Sequence, residues 1–186
     1  GYGQTLAQGR VLAILKNQKP VSTATTGDEV DILVAQTPFY GESGGQTGDT
    51  GRGYNDHAQL EIRSSAKPLP ELILHKAKLT IGCLKTNDEL TLEVDTEKRQ
   101  GTALNHTATH LLHASLNEVL GAHVKQAGSL VTPERLRFDY THFSPLSPRE
   151  RSRIETVVNE KSRENIHGET QELKFEAALD QGAPAG

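Results

Sequence analysis

Five short runs between Val11 and Val94 constrain this chain most: VLAILK, EVDILVAQ, AQLEIRS, ELILHKAKL and ELTLEV alternate in polarity or are apolar throughout, and Gly and Asn/Asp clusters separate them. Parallel strands need long crossover segments, usually helices, and no helical period intervenes here. The pattern predicts a small antiparallel sheet, closed as a barrel in preference to folded as a sandwich. With no Trp and no Met in the chain, its core must be aliphatic.

Between the second and third runs lies TPFYGESGGQTGDTG, residues 37–51, with five glycines within eleven residues. Glycine permits positive φ and close backbone approach, so the loop could present N–H groups to a carbonyl or phosphate. It lacks the Gly-Lys-Ser/Thr ending of a Walker loop. A tight β-connection explains the glycines as well.

After Val94 the period changes. Asp95 or Thr96 can cap a helix over 96–120, and Gly121 stops it. At about 100° per residue, His106 and His110 lie about 40° apart on one face, with His113 between neighbouring turns of that stripe. Leu104, Leu111, Leu112, Leu116 and Val119 are expected on the other side, which leaves the histidines at the rim of the apolar face. Such an H-x-x-x-H pair can give zinc two nitrogens at about 2.0–2.1 Å, or can be two half-buried packing groups. Thr107 stands where a metalloprotease of this pattern carries its glutamate base, so that activity is disfavoured.

Two further strands are expected within 123–131 and 136–140, turning at Thr132-Pro133-Glu134. Ser147, Pro148 and Glu150 form a helix start with a capping box, and that helix should run to about Ile166 with Ile154, Val157 and Val158 inward. Its Arg149, Arg153, Lys161 and Arg163 suit solvent as well as they suit RNA. A strand is expected over 169–174 and a helix start over 175–180.

The 186 residues allow two subdomains. A net charge of −4 and a pI of about 6.1 exclude a global positive field, so a nucleic-acid partner would be held by a local patch or by another domain. No apolar run approaches the roughly 20 residues that cross a bilayer, and no signal pattern opens the chain. A cytoplasmic protein without membrane contact is expected. The single cysteine, Cys83, cannot form an internal disulfide and reads as structural. The lack of Met even at position 1 suggests a piece of something longer.

Four strings occur together: Thr37-Pro38-Phe39-Tyr40-Gly41-Glu42-Ser43-Gly44-Gly45-Gln46, Leu104-Asn105-His106-Thr107-Ala108-Thr109-His110-Leu111-Leu112-His113, Gly128-Ser129-Leu130-Val131 and Leu136-Arg137-Phe138-Asp139. In this order and spacing the chain resembles, over nearly its whole length, the editing region of bacterial alanyl-tRNA synthetases. The resemblance implies an α+β fold: a β-barrel over 1–95, then an α+β editing core over 96–186, cut short at its C-terminal end and shared with threonyl-tRNA synthetase and stand-alone editing proteins. It implies hydrolysis of tRNA(Ala) mischarged with serine or glycine, with the tRNA 3′ end and the rest of a parent synthetase as partners. The family's zinc is held by this H-x-x-x-H and a downstream C-x-x-x-H, which these 186 residues lack. By that likeness His106 and His110 are half of a Zn2+ site, and ligation would weaken below about pH 6.5, where imidazole takes up a proton.

Selectivity cannot come from size, since alanine is smaller than serine. A site that hydrogen-bonds a hydroxyl can disfavour the analogue lacking it by roughly 10⁴–10⁵. Thr109 is the residue that the resemblance offers for this contact; its spacing equally suits a hydroxyl bonded to its own helix. Gln126 is implied in orienting substrate or water, and Gly44, Gly45 and Gln46 in binding the seryl group or ribose. His113 and His123 are expected to be structural. The competing expectations are a tRNA-docking or interdomain scaffold without hydrolytic activity, and a stand-alone trans-editing protein.

Overall fold

A computed structural model describes residues 3–164; the segments expected at 169–174 and 175–180 lie outside them. The fold is α+β, a closed antiparallel barrel followed by two helices and a hairpin. In chain order the elements are β1 (Leu6–Lys16), β2 (Lys19–Val21), β3 (Thr23–Thr25), β4 (Glu29–Val34), β5 (Gly51–Tyr54), β6 (Ala58–Leu69), β7 (Leu72–Lys85), β8 (Glu89–Val94), α1 (Thr96–Leu120), β9 (Gln126–Val131), β10 (Leu136–Tyr140) and α2 (Pro148–Arg163).

Six strands in the order β1-β4-β7-β6-β5-β8 form the barrel, and β8 returns to β1. Closure depends on the length of β1. Its first half, Leu6–Arg10, pairs with β8, and its second half pairs with β4 from Val11 to Leu15, with an irregularity between Val11 and Ala13 that bends the strand from one neighbour to the other. Closing the ring removes the open edges that a flat sheet would present. Alternate residues point inward, and Val11, Ile14, Ile32, Leu60, Ile62, Leu79, Leu84, Leu90 and Leu92 are almost wholly buried there. Each large aliphatic side chain so buried contributes about 1.5–3 kcal/mol.

One barrel strand, β5, is absent from the five runs read in the sequence. Its GRGY has little strand propensity, but it fills a place where backbones crowd: a Cβ at Gly51 would strike the Glu93 carbonyl oxygen of β8 and come within 2.9 Å of the Phe39 ring. Here glycine marks close approach within a sheet, not a turn.

Asp95 caps α1, its side chain accepting from the Lys98 N–H, and Gly121 ends it at φ 109°. The packed face differs from expectation. Thr102, Thr109, Ser115 and Leu116 are buried, whereas Leu104 is 64% exposed. The buried hydroxyls are satisfied by carbonyls one turn back, Thr102 on Lys98, Thr109 on Asn105 and Ser115 on Leu111. The first half of the helix faces polar surroundings, and only the second half enters an apolar cluster. That cluster holds Leu116, Val124 and Ile154, with Leu112, Val119, Phe138, Tyr140 and Val158 against it, and is separate from the barrel core. On α2 the full capping box forms between Ser147 and Glu150. No helix among the described residues is long and apolar enough to cross a membrane.

Candidate functional site

The glycine-rich stretch is fastened at both ends and at its middle. Near its start Thr37 Oγ lies 2.8 Å from Nε2 of His75, a wholly buried histidine of β7, and accepts from the Phe39 N–H. Near its end Asp49 pairs with Arg99 of α1, and the Tyr40 N–H donates to the same carboxylate at 2.6 Å. Arg99 also donates to the Gln4 and Pro38 carbonyls at 2.7 and 2.6 Å. The pair's side chains are only 11% and 8% exposed. Neither Arg99 nor His75 stood out in the sequence. The phase of ELILHKAKL aligns His75 with inward-facing Ala77 and Leu79, and Arg99 lies one helical turn before buried Thr102, so both signals were periodic.

At its middle the stretch leaves the barrel and joins β9. Ser43 and Gln46 exchange backbone hydrogen bonds, closing a turn through Gly44 (φ 59°) and Gly45 (φ 81°). The Val131 N–H then donates to the Gly45 carbonyl at 2.8 Å, and the Thr47 N–H to the Val131 carbonyl at 3.0 Å. Residues 45–47 thus add a short parallel rung to the β9–β10 hairpin. A Cβ at Gly45 would lie 2.5 Å from the Ser129 carbonyl oxygen. Gly45→Ala is therefore expected to cost about 1–3 kcal/mol through strain at positive φ, released by undocking of the loop. Faster hydrogen exchange at the Val131 and Thr47 amides is the measurement, and unchanged protection there would refute the expectation.

This rung carries Gln46 inward, only 5% exposed, with Oε1 2.5 Å from Nδ1 of His106. The His106 and His110 rings lie on one face of α1, centroids 4.9 Å apart. His110 is exposed, but partial desolvation against the helix lowers its pKa from the ordinary value, and the neighbouring His106 and His113 lower it further, which favours the neutral form. His113 instead packs tilted against Phe138, centroids 5.2 Å apart, and its buried Nε2 has no hydrogen-bond partner among the described residues.

Gln126 is exposed at the start of β9, its amide donating to Ser129 Oγ at 3.1 Å. Because Ser129 is also what Gly45 rests against, Gln126, the glycine turn, Gln46 and His106 form one connected set across barrel loop, hairpin and helix. Thr109 is 7% exposed, and its hydroxyl proton goes to the Asn105 carbonyl at 2.8 Å. The Gln46 N–H is taken up by Ser43. His123 lies apart, its Nε2 3.0 Å from Nδ1 of His142 and its ring stacked on Phe143.

His106 and His110 place two imidazole donors side by side on one face of α1, half the number that a tetrahedral zinc shell takes. Among the described residues no group of three or more His, Cys, Asp and Glu side chains is gathered to hold an ion. The donor set suits zinc in kind and falls short in number.

A family model described as tRNA synthetases class II (A) matches residues 1–98. The alanine–tRNA ligase of Stenotrophomonas maltophilia is 48% identical over 186 residues, all of this chain and 21% of the relative. That of Desulfosudis oleivorans is 44% identical over 185 residues, with the same coverage. That of Myxococcus xanthus is 44% identical over 180 residues, 96% of this chain and 20% of the relative. The chain therefore spans about a fifth of the length of these curated relatives, and it belongs to the class II (A) tRNA synthetases, matching a segment of the alanine–tRNA ligases.

Proposed function

We propose that this segment is the editing module of an alanine–tRNA ligase, acting in the cytoplasm on the 3′ end of tRNA(Ala) to hydrolyse a seryl or glycyl ester. The observation that carries the reading is the meeting of His106, His110 and Gln46, where a barrel loop crosses onto the helix that bears the histidine pair. Hydrolysis needs a positioned carbonyl, an attacking water and a stabilised oxyanion. When bound, zinc would supply Lewis acidity toward the ester or hold the amino acid in place. His106 and His110 would hold it with donors from beyond the described residues.

The other roles belong to the chain itself. With its proton committed to Asn105, the Thr109 hydroxyl keeps lone pairs that accept the seryl O–H, and alanine brings no such donor. Gln126 uses its amide N–H on Ser129, which leaves the amide oxygen to orient water or the substrate ammonium. The Gly44 and Gly45 N–H groups take no part in the bonds that close the turn, and they are the loop's donors toward ester or ribose.

Deacylation of seryl-tRNA and alanyl-tRNA is the test, on this chain and on a longer one continuing through a C-x-x-x-H motif. The expected result is hydrolysis of the seryl ester alone, and loss of most bound zinc in His106→Ala of the longer chain. If the longer chain spares both esters, the editing reading is wrong. Zinc content that survives His106→Ala would remove His106 from the ligand set.

A further inference from the structure

Building on that reading, we infer that Gln46 is a positioning residue: its side-chain carbonyl fixes the tautomer of His106 so that Nε2, not Nδ1, carries the lone pair offered to a metal. The contact is 2.5 Å from Gln46 Oε1 to His106 Nδ1. An amide oxygen only accepts, so Nδ1 must carry the proton. A neutral imidazole has one N–H, which leaves Nε2 bare. Outer partners of this kind orient ligating histidines generally.

The residue that carries the amide is buried and its backbone is pinned. It is 5% exposed, its backbone is closed on Ser43 by two hydrogen bonds, and the neighbours on both sides are bonded to Val131. The His110 ring is 4.9 Å from that of His106, so the imidazole that Gln46 orients is one of an adjacent pair. The barrel thereby contributes to a site whose two described nitrogen donors lie on the helix, through a residue that sequence reading assigns to substrate.

The opposite arrangement is chemically distinct and measurable. Were the amide NH2 facing the ring, it would donate to Nδ1, drive the proton to Nε2 and block the atom that ligation needs. ¹⁵N-histidine NMR of the metal-free chain separates the two: an Nδ1–H tautomer at His106 is expected, and an Nε2–H tautomer overturns the inference.

Gln46→Met keeps the volume and removes the acceptor. It is expected to move His106 toward the Nε2–H form and, in the longer chain that continues through a C-x-x-x-H motif, to weaken zinc binding, by chelator competition, roughly 10- to 100-fold. Gln46→Glu, which keeps an acceptor oxygen, should retain the Nδ1–H form. Val131 amide exchange reports whether the loop stays docked in each variant. If it stays docked in Gln46→Met and the tautomer does not change, the inference fails. If the native longer chain shows the Nδ1–H form and takes up no zinc, the metal reading alone fails, whereas zinc uptake of equal strength by the native and Gln46→Met longer chains sinks this inference alone.

Discussion

Replacing Arg99 with methionine should lower the stability of the chain by about 3–5 kcal/mol, the usual result of stranding one member of a buried ion pair. Asp49 would keep the Tyr40 N–H but lose its cation, and the Gln4 and Pro38 carbonyls would lose their donor. A pair on open surface would be worth less than about 1 kcal/mol. The low exposure of both side chains puts this one in the other class. At about 2–4 °C per kcal/mol for a chain of this size, the melting temperature should fall by roughly 6–20 °C. Combining Asp49→Asn with Arg99→Met removes the stranded charge, so the double variant should lose less than the sum of the two singles. Urea unfolding of the four proteins measures this. A loss below about 1 kcal/mol in Arg99→Met would show that the pair does not hold the loop.

The second large effect is on pH. His75 is wholly buried, edge-on to Phe39 with centroids 5.2 Å apart, its Nδ1 3.3 Å from the Ile32 carbonyl and its Nε2 against Thr37. Those partners suit the neutral ring, with Nδ1–H donating and Nε2 accepting. Burial pushes its pKa down from 6.5 to about 4, opposed in part by the Ile32 contact. The sign follows directly. Between pH 6.5 and 4 the unfolded chain takes up a proton that the folded chain refuses, so this contribution is complete above pH 6.5 and is lost as pH falls toward 4. The total is about 3 kcal/mol, at 1.4 kcal/mol per unit. Carboxylates also titrate near the lower limit, so the comparison must be with His75→Gln across the same range. The native chain should lose about 2–3 kcal/mol more than the variant between pH 7 and 4.5. Parallel stability curves would show that His75 ionises in place.

Features written as periodicity are legible in the sequence. Alternation gave the barrel, although the Gly51–Tyr54 strand hid behind two glycines, of which Gly51 serves close packing. Side-chain chemistry at helix ends gave Asp95 and the Ser147–Glu150 box their roles. The histidine pair was visible from spacing alone. Its surroundings were not, because Gln46 stands 60 residues earlier and reaches His106 only when the loop joins β9. The face of α1 was misjudged for a related reason. Counting leucines placed Leu104 inward, but hydroxyls that bond their own helix can be buried without apolar chemistry, and three of them line the packed side. Sequence period reports what repels water; it does not report polar groups that have satisfied themselves locally.

The stretch from Glu42 to Asp49 behaves as a gauge of fixed length. Glu42 bridges Ala66 on the barrel wall, and Asp49 is clasped by the helix, so neither end can slide to absorb a change of one residue. Because neighbouring side chains along an extended rung point to opposite sides, an insertion before Gln46 would not simply lengthen the connection. It would present a different residue to His106, making chain length in this stretch as much a part of the histidine pair's chemistry as residue identity.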